Sequence, residues 1–262
     1  MRRNAMVFIS FLFSIIFLTA VIAGAAEEVI KLHGSTTVQK NIIEPGKDAF
    51  EKATGIKLEI IGIGTGAGLE NLIKGACDAS MASEELAEAV LSMKAASKLE
   101  TIPDLKPNVI TSESIKVIVH PSNPVTRLSK EQLKGLHTGK ITNWKEVGGP
   151  DLPVIVVTSH IGSATRKVFQ KTIMDGEPYV ADALEVETTR NEVAYVAVFP
   201  DGIGAVSPGF MSLPENEGIT VKVVETQEIS RPLMLITKGE PSPSVKKLLD
   251  FFRGEGKKYI KE

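Results

Sequence analysis

Three short stretches rich in glycine, serine and threonine carry the residues of this chain that could bind a ligand. Each follows an apolar run typical of a strand and precedes a run with helical spacing. The stretches are HGSTT at 33–37, GIGTGAG at 62–68 and IGSATR at 161–166. A helix start presents unpaired backbone N–H groups and the positive end of the helix dipole, and hydroxyl groups add neutral donors. The pattern therefore predicts a site for a small tetrahedral oxyanion, surrounded by helix N-termini.

The elements that position these stretches alternate between strand and helix. The expected strands are 29–32, 57–61, 76–82, 115–119, 154–157, 203–206, 220–224 and 233–236. The expected helices are 38–53, 69–74, 85–96, 130–136, 166–173, 191–199 and 242–252. A serine at 129 and a glutamine at 132 predict a capping box at the fourth helix. This order indicates an α/β fold with mostly parallel sheets.

The same order suggests two lobes. We expect a first lobe at 26–113, an inserted second lobe at 114–206 and a return to the first lobe at 207–262. A chain that crosses twice between lobes forms a hinged cleft, where small ligands are commonly enclosed.

The first residues predict an export signal at 1–25. Arg2 and Arg3 precede an apolar run at 7–22, and small residues follow, so that we place cleavage near Ala25. The apolar run is almost long enough to cross a bilayer, which leaves an uncleaved membrane anchor as the alternative. The protein is therefore expected to work in the periplasm.

Composition excludes some partners. The chain has 262 residues, of which 43% are apolar and 24% charged, and its formal net charge is −2. Removal of two arginines with the export signal takes this charge to −4, which argues against a nucleic-acid surface. An anion site must then depend on local dipoles and hydrogen bonds. Cys77 is the one thiol, so no internal disulfide is expected.

Other kinds of site fit less well. Residues 62–67 match the dinucleotide pattern G-x-G-x-x-A, but no acidic residue is clearly placed to hold a ribose. No Gly-Lys-Ser/Thr follows the glycines, and no G-x-S-x-G is present. His33, His120, His137 and His160 have no metal-binding spacing with one another. We therefore expect no catalytic residue, no cofactor and no metal.

Six motifs, in order along the chain, carry a family resemblance. They are GSTTV at 34–38, GTGAG at 64–68, DASMAS at 78–83, IVHPSNP at 118–124, LKGLHTGKITNW at 133–144 and GSATR at 162–166. Together they resemble the periplasmic phosphate-binding proteins of ABC transporters. The resemblance implies a two-lobed periplasmic-binding-protein fold of the second type, with the ligand cleft between the lobes. It also implies inorganic phosphate as ligand, ABC permease subunits as partners, and a monomer.

The resemblance also implies the residues of the site. They are Ser35, Thr36, Thr37, Thr65, Gly66, Ser83, Glu84, Ser163, Ala164, Thr165 and Arg166. Glu84 has a specific expected role, because monoprotonated phosphate can donate a hydrogen bond to a carboxylate and fully ionised sulfate cannot. Arg166 is expected to contact the ligand, to brace Glu84 or to face solvent.

Two positions depart from the family pattern. Ser159 stands where many members have an arginine, and Ala164 stands where glycine is usual. The missing arginine removes a charge-assisted contact, so another oxyanion or a small phosphorylated or carboxylated solute is an alternative ligand. A membrane-anchored phosphate sensor and a nucleotide-dependent enzyme are the alternative functions.

Overall fold

A computed structural model describes residues 27–97, 101–212 and 216–261 of the chain. In this part of the chain there are two five-stranded sheets, each the centre of one lobe. The expected export signal at 1–25, with its cleavage site, lies outside the described residues. Among the helices that are described, none combines the length and the apolarity that crossing a membrane requires.

The chain builds most of the first lobe before it enters the second. The first elements are β1 (Val29–Gly34), α1 (Thr36–Val38), a π-helical turn (Gln39–Ile43), α2 (Glu44–Thr54), β2 (Lys57–Gly62), α3 (Thr65–Ile73), β3 (Ala79–Ala82), α4 (Leu86–Ala96) and β4 (Leu105–Ser114). The next are β5 (Lys116–Val119), α5 (Lys130–Thr138), a 3-10 turn (Trp144–Val147), β6 (Ile155–Ser159), α6 (Ala164–Thr172) and β7 (Leu184–Val186). The last are α7 (Thr189–Val198), β8 (Gly202–Val206), a 3-10 turn (Pro208–Phe210), β9 (Lys222–Val224), β10 (Ser230–Lys238), α8 (Pro243–Arg253) and a 3-10 turn (Glu255–Tyr259).

Both sheets are mixed. The strand order is β2-β1-β3-β10-β4 in the first lobe and β7-β6-β8-β5-β9 in the second. Four of the described strand pairs are parallel and four are antiparallel. The prediction of mostly parallel sheets is therefore wrong for half of the strand pairs. The strands that precede the glycine, serine and threonine stretches, β1, β2 and β6, lie in the parallel parts of the sheets, so the stretches of each lobe lie on one edge of its sheet.

The chain returns to the first lobe later than expected. The sequence predicts the return at residue 207, but β9 pairs with β5 in the second sheet, where Val224 lies opposite Val117. β9 thus lies antiparallel to β5 in the second lobe, although the sequence predicts that its residues belong to the first lobe. The strand that returns is β10, which inserts between β3 and β4.

The two crossings between the lobes lie side by side. Ile115 joins β4 to β5, and its N–H donates to the carbonyl of Ile229, just before β10, at 3.0 Å. Both side chains are buried. The two segments that connect the lobes are thus joined to each other by a backbone hydrogen bond.

Each sheet is covered on both faces by apolar side chains. In the first lobe, one cluster includes Phe50 and Phe252, and the other includes Leu69 and Met93. In the second lobe, Trp144 is fully buried, and its indole N–H donates to a backbone carbonyl at 2.8 Å. Burial of each such large side chain contributes about 1.5 to 3 kcal/mol. The two lobes therefore hold separate cores, and each presents its strand ends as a rigid edge.

The helix starts are set by local capping. The predicted capping box at α5 is confirmed, because Ser129 and Gln132 satisfy each other's backbone N–H groups. β4 and β7 were not expected. β4 alternates half-buried and exposed residues and contains a proline, and β7 has three residues, so neither shows a clear strand pattern.

Candidate functional site

The cleft between the lobes lies where parallel strands end and helices begin. β1, β2 and β3 end at it in the first lobe, and β6 and β7 end at it in the second. In α/β sheets this edge is the usual place for a ligand. The cleft has a volume of about 270 Å³. Its lining is Ser35, Thr36, Thr37, Gly62, Ile63, Gly64, Thr65 and Ser83 from one lobe and Ser159, His160, Gly162, Ser163, Ala164, Thr165, Glu187, Thr188 and Thr189 from the other.

The first helix start in the cleft is held by two serines. Ser35 caps α1, since its side chain accepts from the N–H of Val38. Its hydroxyl also donates to Ser83 Oγ at 2.9 Å. Thr36, the first residue of the helix, is exposed to the cleft. The continuous helical run that begins here extends to the end of α2, so its dipole is that of several turns.

The second helix start carries a hydroxyl that the protein leaves unpaired. Thr65 is 2% exposed, and its Oγ1 is buried without a hydrogen-bond partner in the described part of the chain. Gly64 precedes it with φ of +84°, which favours glycine. Gly68 lets α3 pack on β1, because a Cβ there would lie 2.3 Å from the Cα of Gly34. The hydroxyl of Thr65 is thus placed at the cleft by the close packing of its helix.

The second lobe presents two helix starts. Ser163 caps α6 and accepts from the N–H of Arg166, while Thr165 is buried at the cleft. Thr188 caps α7 and accepts from the N–H of Asn191. The sequence predicts a helix from 191 and leaves Thr188 and Thr189 out of the site. These two threonines were nevertheless a usable indication of a cleft-facing helix start, because hydroxyl residues also stand at the other three helix starts.

Arg166 does not reach the cleft lining. Its Nη1 lies 2.6 Å from Glu185 Oε2 and 3.0 Å from the carbonyl of Ser159, and its guanidinium carbon lies 4.8 Å from the centre of the Tyr179 ring. The expectations that it braces Glu84 or faces solvent are also wrong. It joins α6 to β7 behind the site.

Glu84 is buried, but it also lies outside the cleft lining. One carboxylate oxygen accepts from Ser92 on α4 at 3.1 Å, and the other has no partner within the described structure. Burial raises the pKa of Glu84, and the nearby Lys167 acts in the opposite direction. The carboxylate of Glu84 thus contacts α4 and is not part of the cleft lining, where its expected role would place it. The backbone bends at Ser83 and Glu84, directly after β3, and there Ser83 lines the cleft while Glu84 contacts Ser92 on α4.

Gly66 has a packing role. A Cβ at this position would lie 3.1 Å from the backbone of Ser92, so that glycine allows α3 and α4 to approach closely. It is the second residue of α3 and faces the neighbouring helix, whereas Thr65 faces the cleft.

A buried cation lies behind the first helix start and was missed by sequence reasoning. Arg231 on β10 is 2% exposed, and its Nε lies 2.8 Å from Glu113 Oε1. Another guanidinium nitrogen lies 3.5 Å from Thr37 Oγ1 at the cleft. Its Nη1 has no partner in the described part of the chain. Nothing in the local sequence around 231 marks it, because β4 and β10 must pair before it meets Glu113.

The charges in the cleft are few. Among the described residues that line it, the titratable ones are His160 and Glu187, and none is a lysine or an arginine. The attraction for an anion must come from the four helix starts, each equivalent to roughly half a positive charge, and from hydroxyl donors.

This architecture matches that of a known protein superfamily. The family model of the PBP superfamily domain matches residues 22–255. The chain belongs to the PBP superfamily. The expected two-lobed periplasmic-binding-protein fold and the family resemblance are both confirmed.

Individual PBP relatives are consistent with this placement. The chain is 25% identical over 236 residues to the phosphate-binding protein PstS of Bacillus subtilis, an alignment that covers 86% of this chain and 75% of that protein. It is similar to a structure from Clostridium perfringens described as a candidate phosphate ABC transporter substrate-binding protein with bound phosphate. The TM-score is 0.74 at 29% identity, covering 90% of this chain and all of the other. An ABC-type phosphate transport receptor from Vibrio cholerae has a TM-score of 0.66 at 25% identity, covering 88% and 96%.

The PBP cleft thus includes eight of the eleven expected site residues. They are Ser35, Thr36, Thr37, Thr65, Ser83, Ser163, Ala164 and Thr165. The other three, Gly66, Glu84 and Arg166, stand behind it.

Proposed function

We propose that this protein captures inorganic phosphate outside the cytoplasmic membrane and delivers it to the permease of an ABC importer. The observation that carries the proposal is the cleft in which helix starts from two lobes face each other with their hydroxyl groups. Relatives named as phosphate-binding proteins support the same ligand. The protein binds and releases its ligand without chemical change, and works as a monomer in the periplasm.

The physical basis of binding is a set of neutral donors. Hydrogen bonds from hydroxyl and N–H groups to an ionised phosphate are charge-assisted, and each contributes about 1.5 to 3 kcal/mol net. Such donors bring no positive charge of their own. The buried guanidinium of Arg231 contacts Thr37 from behind the first helix start, but its charge is compensated by its ion pair with Glu113.

Selection between phosphate and sulfate needs an acceptor in the cleft. Glu84 was expected in that role but lies behind the lining, while Glu187 lines the cleft. We infer that the carboxylate of Glu187 accepts a hydrogen bond from the protonated oxygen of monoprotonated phosphate. Sulfate offers no such proton and would meet an unpaired carboxylate, which disfavours it.

Ser159 and Ala164, which differ from the family pattern, favour a second class of ligand. Both line the cleft and neither supplies a cationic group, so another oxyanion is the alternative ligand. If the protein binds such an anion, the anion should compete with phosphate.

Calorimetric titration tests the proposal. The chain beginning at Ala26 is unfolded and refolded to remove bound ligand, then titrated with phosphate and with sulfate near neutral pH. We expect phosphate to bind and sulfate to be silent, and Glu187→Gln to admit sulfate. Silence with phosphate would contradict the proposed ligand.

A pair of helix-cap variants shows whether the site is the cleft. Ser163 caps α6 at the cleft, and Ser242 caps α8 far from it, each accepting from the N–H three residues on. Replacement of either by alanine costs about 0.5 to 2 kcal/mol of stability. Only Ser163→Ala is expected to weaken phosphate binding, by roughly 10- to 150-fold. Equal affinities in the two variants would place the site elsewhere.

A further inference from the structure

A chain of three side chains runs from the cleft into the second lobe. Ser159, at the end of β6, has its Oγ 3.0 Å from Ser163 Oγ and 2.9 Å from Glu192 Oε2. Ser159 and Ser163 line the cleft, whereas Glu192 on α7 is 1% exposed and lies behind them. A buried carboxyl is thus connected to the ligand site through two hydroxyl groups.

The protonation state of Glu192 decides whether Ser163 presents a hydrogen-bond donor or an acceptor to the cleft. A serine hydroxyl has one hydrogen, so Ser159 can donate to Ser163 or to Glu192 but not to both. If Glu192 is protonated, it donates to Ser159, Ser159 donates to Ser163, and the hydrogen of Ser163 is free for the cleft. If Glu192 is ionised, Ser159 donates to it, Ser163 donates to Ser159, and the cleft faces a lone pair of Ser163.

The surroundings of Glu192 favour the protonated form. Burial raises its pKa to about 8, against the smaller opposing effects of the Ser159 hydroxyl, the backbone N–H groups of Ala205 and Ser159, and Arg166 on α6. The positive charge of Arg166 is partly compensated by its ion pair with Glu185 on β7.

Tyr179 is the other titratable group facing Glu192. Burial, and then the charge of Glu192, raises the pKa of its phenol, so Tyr179 stays neutral. An anion in the cleft adds negative charge near Glu192 and further disfavours its ionisation.

We propose that Glu192 is a positioning residue that, as a neutral carboxylic acid, turns the Ser159 and Ser163 hydroxyls so that Ser163 donates to the bound oxyanion. The inference rests on the proposed phosphate site. It gives Ser159 a role at the position where the family arginine is missing. Binding and protonation of Glu192 are coupled, and when the free protein is ionised at Glu192 the proton comes from the solvent.

Calorimetry with inorganic phosphate tests the coupling. The exported chain, Glu192→Gln and Ser159→Ala are titrated at about pH 6 and about pH 9, in two buffers of different ionisation enthalpy, so that the protons taken up on binding are counted. The ionisation of phosphate is common to all samples, and differences between them isolate Glu192. Glu177→Gln, an exposed carboxylate of the same lobe paired with lysines, is the control.

We expect the unmodified chain to lose about tenfold in affinity for each pH unit above the Glu192 pKa, beyond the change seen in Glu192→Gln. The glutamine amide donates to Ser159 at every pH, so that variant takes up fewer protons near pH 9. Ser159→Ala should bind more weakly at both pH values and lack the extra uptake, and Glu177→Gln should match the unmodified chain.

Two outcomes are separable. If phosphate binds and the unmodified chain and Glu192→Gln show the same pH dependence and proton count, the coupling is wrong and the phosphate site stands. If the unmodified chain does not bind phosphate, the proposed function fails and the coupling fails with it.

Infrared difference spectra give a second readout: phosphate added at about pH 9 should increase the neutral-carboxyl band in the unmodified chain and not in Glu192→Gln. An unchanged band in both would overturn the inference.

Discussion

Thr65→Val should separate the stability of the free protein from its affinity for phosphate. The substitution keeps the branched shape and replaces the hydroxyl by a methyl group. In the free protein the hydroxyl is buried without a partner in the described structure, and a buried unpaired polar group costs about 1 to 3 kcal/mol. Its removal should leave the free energy of unfolding unchanged or raise it by about 1 kcal/mol.

Phosphate should reverse the order of the two proteins. Loss of one charge-assisted hydrogen bond weakens binding by about 1.5 to 3 kcal/mol, or roughly 10- to 150-fold. Ligand that binds the native state stabilises it in proportion to the logarithm of its concentration over Kd, so a 100-fold weaker Kd loses about 2.7 kcal/mol of this gain. Thr65→Val should therefore be at least as stable as the unmodified chain without phosphate and less stable than it with phosphate.

Chemical denaturation with and without phosphate, together with calorimetry, measures this reversal. Thr138→Val is the matched control, because the Thr138 hydroxyl donates to the carbonyl of Lys134 within α5, away from the cleft. It should lose some stability and keep its affinity. Affinity of Thr65→Val within about threefold of the unmodified chain would refute the assignment of its hydroxyl to the ligand.

Three further predictions follow from the buried charges. Arg166→Met should leave phosphate affinity within about threefold by calorimetry, because the guanidinium is held by Glu185, whereas a loss of 100-fold would show that it reaches the ligand. Glu113→Ala should cost about 3 to 5 kcal/mol in urea denaturation, since it leaves Arg231 buried and unpaired, and a loss below about 1 kcal/mol would contradict that pairing. Glu192 has a raised native pKa, so the native state holds a proton that the unfolded chain releases, and its contribution to stability should fall as pH rises from about 4.5 to about 8; denaturation of Glu192→Gln across that range should show a smaller fall, because only buried groups such as Glu84 still contribute one.

The parts of the site that sequence predicts are those that depend on local chemistry. Ser35, Thr65 and Ser163 stand at helix starts because hydroxyl and glycine residues favour such positions, and the apolar runs before them mark the strands. Parallel strands then bring these starts to one edge of each sheet without any need to know distant contacts. The cleft and its hydroxyl lining follow from that placement.

The parts that sequence misses depend on side-chain direction. Glu84 follows Ser83 directly, but the backbone bends at these two residues, so that Ser83 lines the cleft and Glu84 contacts Ser92 on α4. Arg166 lies two residues into α6, on a face that meets β7. A motif names such residues correctly but does not say which way they point.

The parts that depend on distant pairing are also hidden. Arg231 meets Glu113 across 118 positions of sequence, and β9 joins β5 across a similar distance. Short strands such as β9 carry too few residues to show a period, so the assignment of 220–224 to the first lobe followed chain order and not a contact. The late return at β10 is a consequence of tertiary pairing alone.

We expect a bound anion to contribute more to closure of the lobes than the contacts between the lobes at the mouth of the cleft do. There, Lys167 on α6 donates to Ser92 Oγ on α4 at 2.9 Å, and Lys171 pairs with Glu88. The exposed pair of Lys171 and Glu88 contributes at most about 1 kcal/mol, and the partly buried hydrogen bond from Lys167 contributes about 1.5 to 3 kcal/mol. Four helix starts, by contrast, each direct donors at one small volume from opposite sides. Without an anion the positive ends of these helices repel one another across the cleft, and a bound anion removes that repulsion, so we expect the ligand to stabilise the closed arrangement of the lobes. A site made of neutral donors can then release phosphate when the lobes are pulled apart, because no fixed cation in the described lining keeps it on either half.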